Sequence, residues 1–176
     1  TAGIVIIDKV PVGVFTKAVT SYLPDRMALS TEFTADDAVS LYADFFTDFD
    51  KVKANAMLAD LHLNQHDRIG AMSKGMQEKM QLCLTMSRAA KLYLLDEPLG
   101  GVDPAAREYI LNTILHNYSE DAALVLSTHL IGDIEKVLDE VIFLKDGSVM
   151  RQVGVDELRE ETGTSVDAYF REAYKC

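Results

Sequence analysis

The segment Leu92-Tyr-Leu-Leu-Asp-Glu-Pro98 constrains the fold more than any other, because an apolar run stops there on two adjacent carboxylates. A short unbroken apolar run before a turn reads as a strand buried on both faces, so its acidic end lies where a sheet meets solvent. In open α/β sheets that end is where ligands bind. An aspartate leaving such a strand suits a magnesium ion, and a glutamate beside it suits acceptance of a proton from an attacking water. Strand-Asp-Glu-Pro is also an ordinary exit from a sheet, so the pair gains meaning only from its surroundings.

Those surroundings alternate. Gly3 to Asp8 is strand-like from the first residues, and Val19 to Pro24 forms a second short strand that Pro24 breaks. Two helical faces follow, Val39, Tyr42, Ala43 and Phe46, then Ala54, Met57, Leu58 and Leu61, which define a small helical region without strands. A polar connection leads to Ser73-Lys74-Gly75 and a helix with Met76, Met80, Cys83 and Leu84 inward. After Leu92–Leu95 come Asp103 as a cap and Pro104 at the start of a helix, then a buried strand at Ala122–Leu126 and a short helix at Ile131–Leu138. Glu140–Val153 reads as a hairpin around Asp146-Gly147, and Val155–Tyr174 as one or two acidic amphipathic helices. This order predicts an α/β fold, a mostly parallel sheet flanked by helices with right-handed crossovers.

Composition removes several classes of function. The 176 residues, 48% hydrophobic and 26% charged, suit a globular domain rather than a disordered chain. Seventeen basic against 28 acidic residues give a formal charge of −11, which repels nucleic-acid phosphates and anionic headgroups in the absence of any basic cluster. The two cysteines, Cys83 and Cys176, have no metal-site spacing and fit a reducing compartment. No apolar run approaches a membrane span, and the start has no signal-peptide pattern.

Three element ends thus carry groups suited to a phosphate: Ser73 at a helix start, Asp96 with Glu97, and His129. Their order and spacing resemble the ATP-binding cassette (ABC) ATPases. Met72-Ser73-Lys74-Gly75-Met76 resembles the signature motif, and Leu92 to Glu97 resembles Walker B with its following glutamate. Gly100-Gly101-Val102-Asp103 resembles the D-loop, and Ser127-Thr128-His129 the switch histidine. The resemblance implies a partial P-loop NTPase-like fold. Residues 1–30 would be part of a RecA-like core, 31–88 a helical subdomain ending in the signature helix, 89–154 the rest of the core, and 155–176 C-terminal helices.

The resemblance also implies roles, with ATP and Mg²⁺ as ligands. Ser73, Lys74 and Gly75 would approach the γ-phosphate of ATP held by a second copy in a head-to-tail dimer, although Lys74 stands where the family has glycine and Met76 where it has glutamine. Asp96 would hold magnesium, and Glu97 would orient or deprotonate water. His129 would contact the γ-phosphate, where a histidine ending a strand is otherwise a structural residue. Asp103 is a helix cap, a link across the dimer, or both. Asp25 follows Pro24 where the family places a magnesium-touching glutamine, so a carboxylate takes over that relay. The expected partner is a membrane-spanning transporter subunit, with the ATPase cytoplasmic at the inner face of the plasma membrane. Phe33, Phe45, Phe46 and Phe49 are candidates for a groove receiving a partner helix. The motif wording is most similar to bacterial ABC-2 exporters.

One motif is missing. None of the ten glycines lies in a Gly-x-x-x-x-Gly-Lys-Ser/Thr pattern, so no loop cradles the β- and γ-phosphates. The expectation is a piece of a longer protein, inactive by itself, with a gap beside the Leu92–Asp96 strand where the phosphate-loop strand belongs. The alternatives are a soluble ABC ATPase acting on the ribosome or DNA, which the acidic charge disfavours, and a non-hydrolysing ABC-like interaction domain.

Overall fold

The computed structural model describes residues 3–119 and 121–174; Cys176, named above, lies outside them. The chain divides into two compact units, residues 1–128 and 129–176.

The first unit begins with an antiparallel hairpin, β1 (Ile6–Ile7) against β2 (Val10–Pro11), turned by Asp8 and Lys9 at φ values of 50° and 64°. A five-residue helix, α1 (Val14–Ala18), precedes strand β3 (Thr20–Leu23). That helix is too short to show a period, and the sequence reading missed it. The helical region follows as α2 (Ala35–Phe45), α3 (Lys51–Asp60) and α4 (Lys74–Met86). Strand β4 (Leu92–Asp96), helix α5 (Pro104–Asn117) and strand β5 (Ala123–Ser127) complete the unit.

Each of these longer helices starts at a residue whose side-chain oxygen accepts an otherwise unpaired backbone N–H. Thr34 serves α2 with a reciprocal bond from its own amide to Asp37, Asp50 serves α3, Ser73 serves α4 and Asp103 serves α5. Of the apolar faces read from periodicity, Val39 on α2, Ala54, Met57 and Leu58 on α3, and Met80, Cys83 and Leu84 on α4 are buried, whereas Tyr42, Ala43, Phe46 and Met76 are half-buried. Burial pushes the Cys83 thiol up to about 12, so this cysteine is an inert packing residue. Helices α3 and α5 also close each other's ends. Lys53 Nζ donates to the Asn117 carbonyl (2.6 Å), and the Tyr109 hydroxyl donates to the Asp60 carbonyl (3.0 Å).

The sheet is parallel, in the order β3-β4-β5, with Leu23 beside Leu95 and Asp96 beside Ser127. Two expectations need correction. Strand β4 has no gap beside it, since β3 and β5 flank it on both sides. The edge strands are β3 and β5, and β5 alternates exposed and half-buried residues and leaves Val125 51% exposed, so Ala122–Leu126 is not a buried strand. Strand β4 itself buries Tyr93 and Leu95 fully and Leu92 and Leu94 by half.

Arg88 joins the helical region to the sheet. Its side chain is 3% exposed and makes paired contacts to the Asp48 carboxylate, Nε to Oδ1 and Nη2 to Oδ2, both at 3.0 Å. It also donates to the Thr20 carbonyl (2.6 Å) and the Ala18 carbonyl, and it stacks 4.0 Å over the Phe46 ring. The Arg88 carbonyl in turn accepts from the buried Tyr93 hydroxyl at 2.5 Å. Phe46 and Phe49 both pack against Tyr42, Phe33 is half-buried, and Phe45, 75% exposed, is the most accessible of the four phenylalanines.

The second unit holds α6 (Ile131–Ile134), a 3-10 turn, the hairpin β6 (Glu140–Lys145) and β7 (Ser148–Gly154), then α7 (Val155–Thr162) and α8 (Val166–Ala173). The hairpin turns at Asp146-Gly147, both at positive φ, as the sequence signal requires. Its core is Ile131, Phe143, Val153, Val155, Leu158 and Val166, with Tyr169 and Phe170 packed against Phe143. Glu135 takes up the start of α8 by accepting from the Val166 and Asp167 amides, and Arg159 donates to it at 2.9 Å.

Two predictions follow from these contacts. Arg88→Ala leaves Asp48 and two carbonyls without their donor in a packed site and lowers unfolding stability by about 3–5 kcal/mol; chemical denaturation measures it, and Arg88→Lys recovers only part because lysine lacks the planar fork. Burial raises the Glu135 carboxyl, but Arg159 and the two amides outweigh it and leave the pKa below its ordinary 4.5. A lowered folded pKa contributes stability that is full above the unfolded value and is lost as pH falls below about 4.5 toward the folded value. The melting midpoint of Glu135→Gln therefore depends less on pH in that window than the midpoint of the unaltered chain.

Candidate functional site

The C-terminal edge of the parallel sheet gathers the acidic pair. Asp96 ends β4 opposite Ser127, and the Ser127 hydroxyl donates to Asp96 Oδ1 at 2.5 Å. The Glu97 amide donates to both the carbonyl (3.1 Å) and the hydroxyl (3.2 Å) of Ser127. Position 97 therefore sits in the left-handed region, at φ 49°, where a non-glycine residue carries a conformational cost. The turn closes with the Gly100 amide donating to the Glu97 carbonyl at 3.0 Å; a Cβ on Gly100 would lie 3.3 Å from that oxygen. Pro98 and Leu99 are buried beneath it. The carboxylates thus leave the sheet on a turn that is pinned at its base and tight at its end.

A second group forms around the start of α4. The Ser73 hydroxyl accepts from the Met76 amide at 3.3 Å, which makes it the cap, and its exposed position leaves the first turn open to solvent. Exposed Lys74 pairs with Glu78 one turn on, at 3.6 Å. The Glu78 carboxylate lies against the Gly100-Gly101 turn so closely that a Cβ on Gly101 would fall 1.8 Å from its Oε1. The absence of a side chain at Gly101 is what lets that carboxylate sit there. Asp103 follows and accepts from the Ala105 amide at 2.9 Å, which makes it the cap of α5.

Asp25 is exposed and shares a cleft of about 330 Å³ with Arg26, Met27, Lys74, Gln77, Glu78 and Gln81. The structure thus brings Asp25, Lys74 and Glu78 to one cleft, and Asp96, Glu97 and Ser127 to the sheet edge. His129 opens the second unit and is exposed there. His62, His66 and His116 are exposed as well.

Among the described residues no group of three His, Cys, Asp or Glu side chains is arranged to hold a metal ion. A magnesium ion at a nucleotide typically takes one or two carboxylates, with phosphate oxygens and waters as the rest, so a single oxygen donor such as Asp96 fits that demand. Three residues that the sequence reading did not assign belong to these groups. Ser127 is signalled by its place opposite Asp96 once the strands are in register. Glu78 and Gln81 lie on the polar stripe of α4 that also carries Lys74, Gln77 and Thr85, a spacing visible in the sequence. Ser127→Ala removes the donor to Asp96 and an acceptor for Glu97, and it should lower unfolding stability by about 1 kcal/mol while Ser127→Thr preserves it, as read by denaturant titration.

Comparison with known proteins agrees with this geometry. The family model described as ABC transporter matches residues 1–100. The ABC transporter ATP-binding protein YtrB of Bacillus subtilis is 26% identical over 141 residues, covering 80% of this chain and 48% of its own length. The B. subtilis protein YxlF, described as an uncharacterized ABC transporter ATP-binding protein, is 28% identical over 151 residues, covering 82% and 50%. The chain therefore spans about half the length of these curated relatives. A solved structure of the ATP-binding subunit of an ABC transporter superposes with a TM-score of 0.78 at 24% identity, covering 90% of this chain and 70% of that one, which establishes the shared fold. With more than half of its residues matched by the family model and its motifs in order along a partial P-loop NTPase-like sheet, the chain belongs to the ABC transporter family, in its ATP-binding domain.

Proposed function

We propose that this chain is part of the ATP-hydrolysing subunit of an ABC transporter, which couples nucleotide-driven dimerisation to a membrane-spanning partner. The observation that carries the reading is the pinned turn at the end of β4. Asp96 is held by Ser127, and the next residue, Glu97, is kept in a costly left-handed conformation that an ordinary strand exit does not need.

In this reading Asp96 holds magnesium and Glu97 accepts the proton of the attacking water. When bound, magnesium neutralises charge on the β- and γ-phosphates. The α4 start, with Ser73, Lys74 and Gly75, would offer N–H groups and a positive dipole end to the ATP of a second copy. Lys74 adds a charge of the right sign, and its partial engagement with Glu78 at 3.6 Å leaves it able to turn outward. Asp103 would sit at the same interface while capping α5, and Asp25 would approach the magnesium or one of its waters. The role of His129 as a γ-phosphate contact rests on the motif order alone. Among the described residues no helix is long and apolar enough to cross a membrane. In this reading the path for cargo belongs to a membrane-spanning partner. Phe45 is the exposed aromatic of the helical region available to such a partner.

The test uses the full-length protein with its transporter partner. Glu97→Gln is expected to retain ATP binding, lower turnover by about 10²- to 10⁴-fold and trap a nucleotide-bound dimer, because proton acceptance is lost while Asp96 remains. Unchanged turnover would remove Glu97 from its role. The 176-residue chain alone, with no Gly-x-x-x-x-Gly-Lys sequence, should show no ATP hydrolysis above background.

A further inference from the structure

Gln81 is a polar side chain, 7% exposed, on the stripe of α4 that also carries Gln77, Glu78 and Thr85. A buried glutamine must pair both its carbonyl and its amide, and here both go to one loop. Oε1 accepts from the Ala28 amide at 3.0 Å, and Nε2 donates to the Pro24 carbonyl at 3.3 Å. The first stretch of the connection that leaves β3, Pro24 to Ala28, is therefore fastened at both ends to a single side chain of α4, with Asp25 between the two fastenings.

The fastening continues down the helix. Thr85, one turn further on, donates from Oγ1 to the Gln81 carbonyl at 2.8 Å, and buried Ser21 of β3 donates to the Thr85 carbonyl at 2.8 Å. Thr85 and Ser21 are each 2% exposed, so the ladder is shielded from water and its bonds are costly to leave unmade. Strand β3, the Pro24–Ala28 loop and α4 are in this way one hydrogen-bonded body. Ser73 begins the same helix, and the cleft holding Asp25 is walled by the α4 side chains Lys74, Gln77 and Glu78.

We propose that Gln81 is a positioning residue that locks the Asp25 loop to α4, so that Asp25 and Ser73 move together when the protein turns over. The inference rests on the reading of Asp25 and Ser73 as parts of the nucleotide site. Gln81 touches neither nucleotide nor metal in it. Its effect on the reaction passes through Asp25, which distinguishes it from a residue that merely fills space.

The experiment compares Gln81→Leu, Gln81→Glu, Asp25→Asn and the Gln81→Leu/Asp25→Asn double variant in the full-length protein with its partner. Amide hydrogen exchange at residues 25–28 should rise about tenfold or more in Gln81→Leu, with α4 itself unchanged. Gln81→Glu keeps the acceptor for Ala28 and should fall between Gln81→Leu and the unaltered protein, which also guards against poor folding of the leucine variant. Turnover should drop about fivefold or more in Gln81→Leu with KM for ATP within about twofold, and the double variant should be no slower than Asp25→Asn alone. Unchanged exchange in the loop, or losses that multiply in the double variant, would overturn the proposal. If the unaltered protein hydrolyses no ATP, the functional reading fails first, and the loop exchange alone then decides whether Gln81 is the lock.

Discussion

The paired contact between Arg88 and Asp48 is the constraint on which the first unit depends. A guanidinium taken out of water is tolerable only when its donors are met, and here a carboxylate, two carbonyls and an aromatic face meet them. The partners come from four places in the sequence: the end of α1, the start of β3, the Phe46–Asp48 corner and, through Tyr93, the centre of β4. Because one planar group has to satisfy the first three together, the helical region and the sheet share a fixed relation at that point. The Gln81 ladder lies along α4, which ends just before Arg88, and binds the other end of β3. Helix α4 is thus secured to β3 both where the strand begins and where it leaves.

Much of this arrangement was legible in the sequence, and the reasons are local. The apolar faces of α2, α3 and α4, the caps Ser73 and Asp103, and the Asp146-Gly147 hairpin all follow from spacing within a few residues. What escaped is what spacing cannot carry. Helix α1 has five residues and no period, and Arg88 sits in a short link between α4 and β4 where nothing in its neighbours announces a buried ion pair. The placing of β5 directly beside β4 was missed for a related reason. A run of Ala, Leu, Val, Leu states that a strand exists and says nothing of which strand it joins.

The candidate site divides along the same line. Asp96, Glu97, Ser73 and Asp103 could be named from motif order, because each stands at the end of an element. Ser127 could be assigned only once the strands were in register, and Glu78 only once the Gly100-Gly101 turn was seen against α4. Gln81 looks from the sequence like one more residue of a polar helix stripe, and its partners at Pro24 and Ala28 lie more than fifty residues away. Polar side chains that stand at the ends of strands and helices are readable from sequence. Those that hold them in place are chosen by three-dimensional neighbours.

The left-handed backbone at position 97 sets ease of folding against keeping a carboxylate there. Glycine or asparagine adopts that conformation with less strain than glutamate, so a sequence optimised for durability alone would not keep a glutamate there. A sturdier protein is available by one codon change, and it would be a protein without the second carboxylate. Laboratory selection for heat resistance, run without demanding any activity, should therefore erode this turn among the earliest.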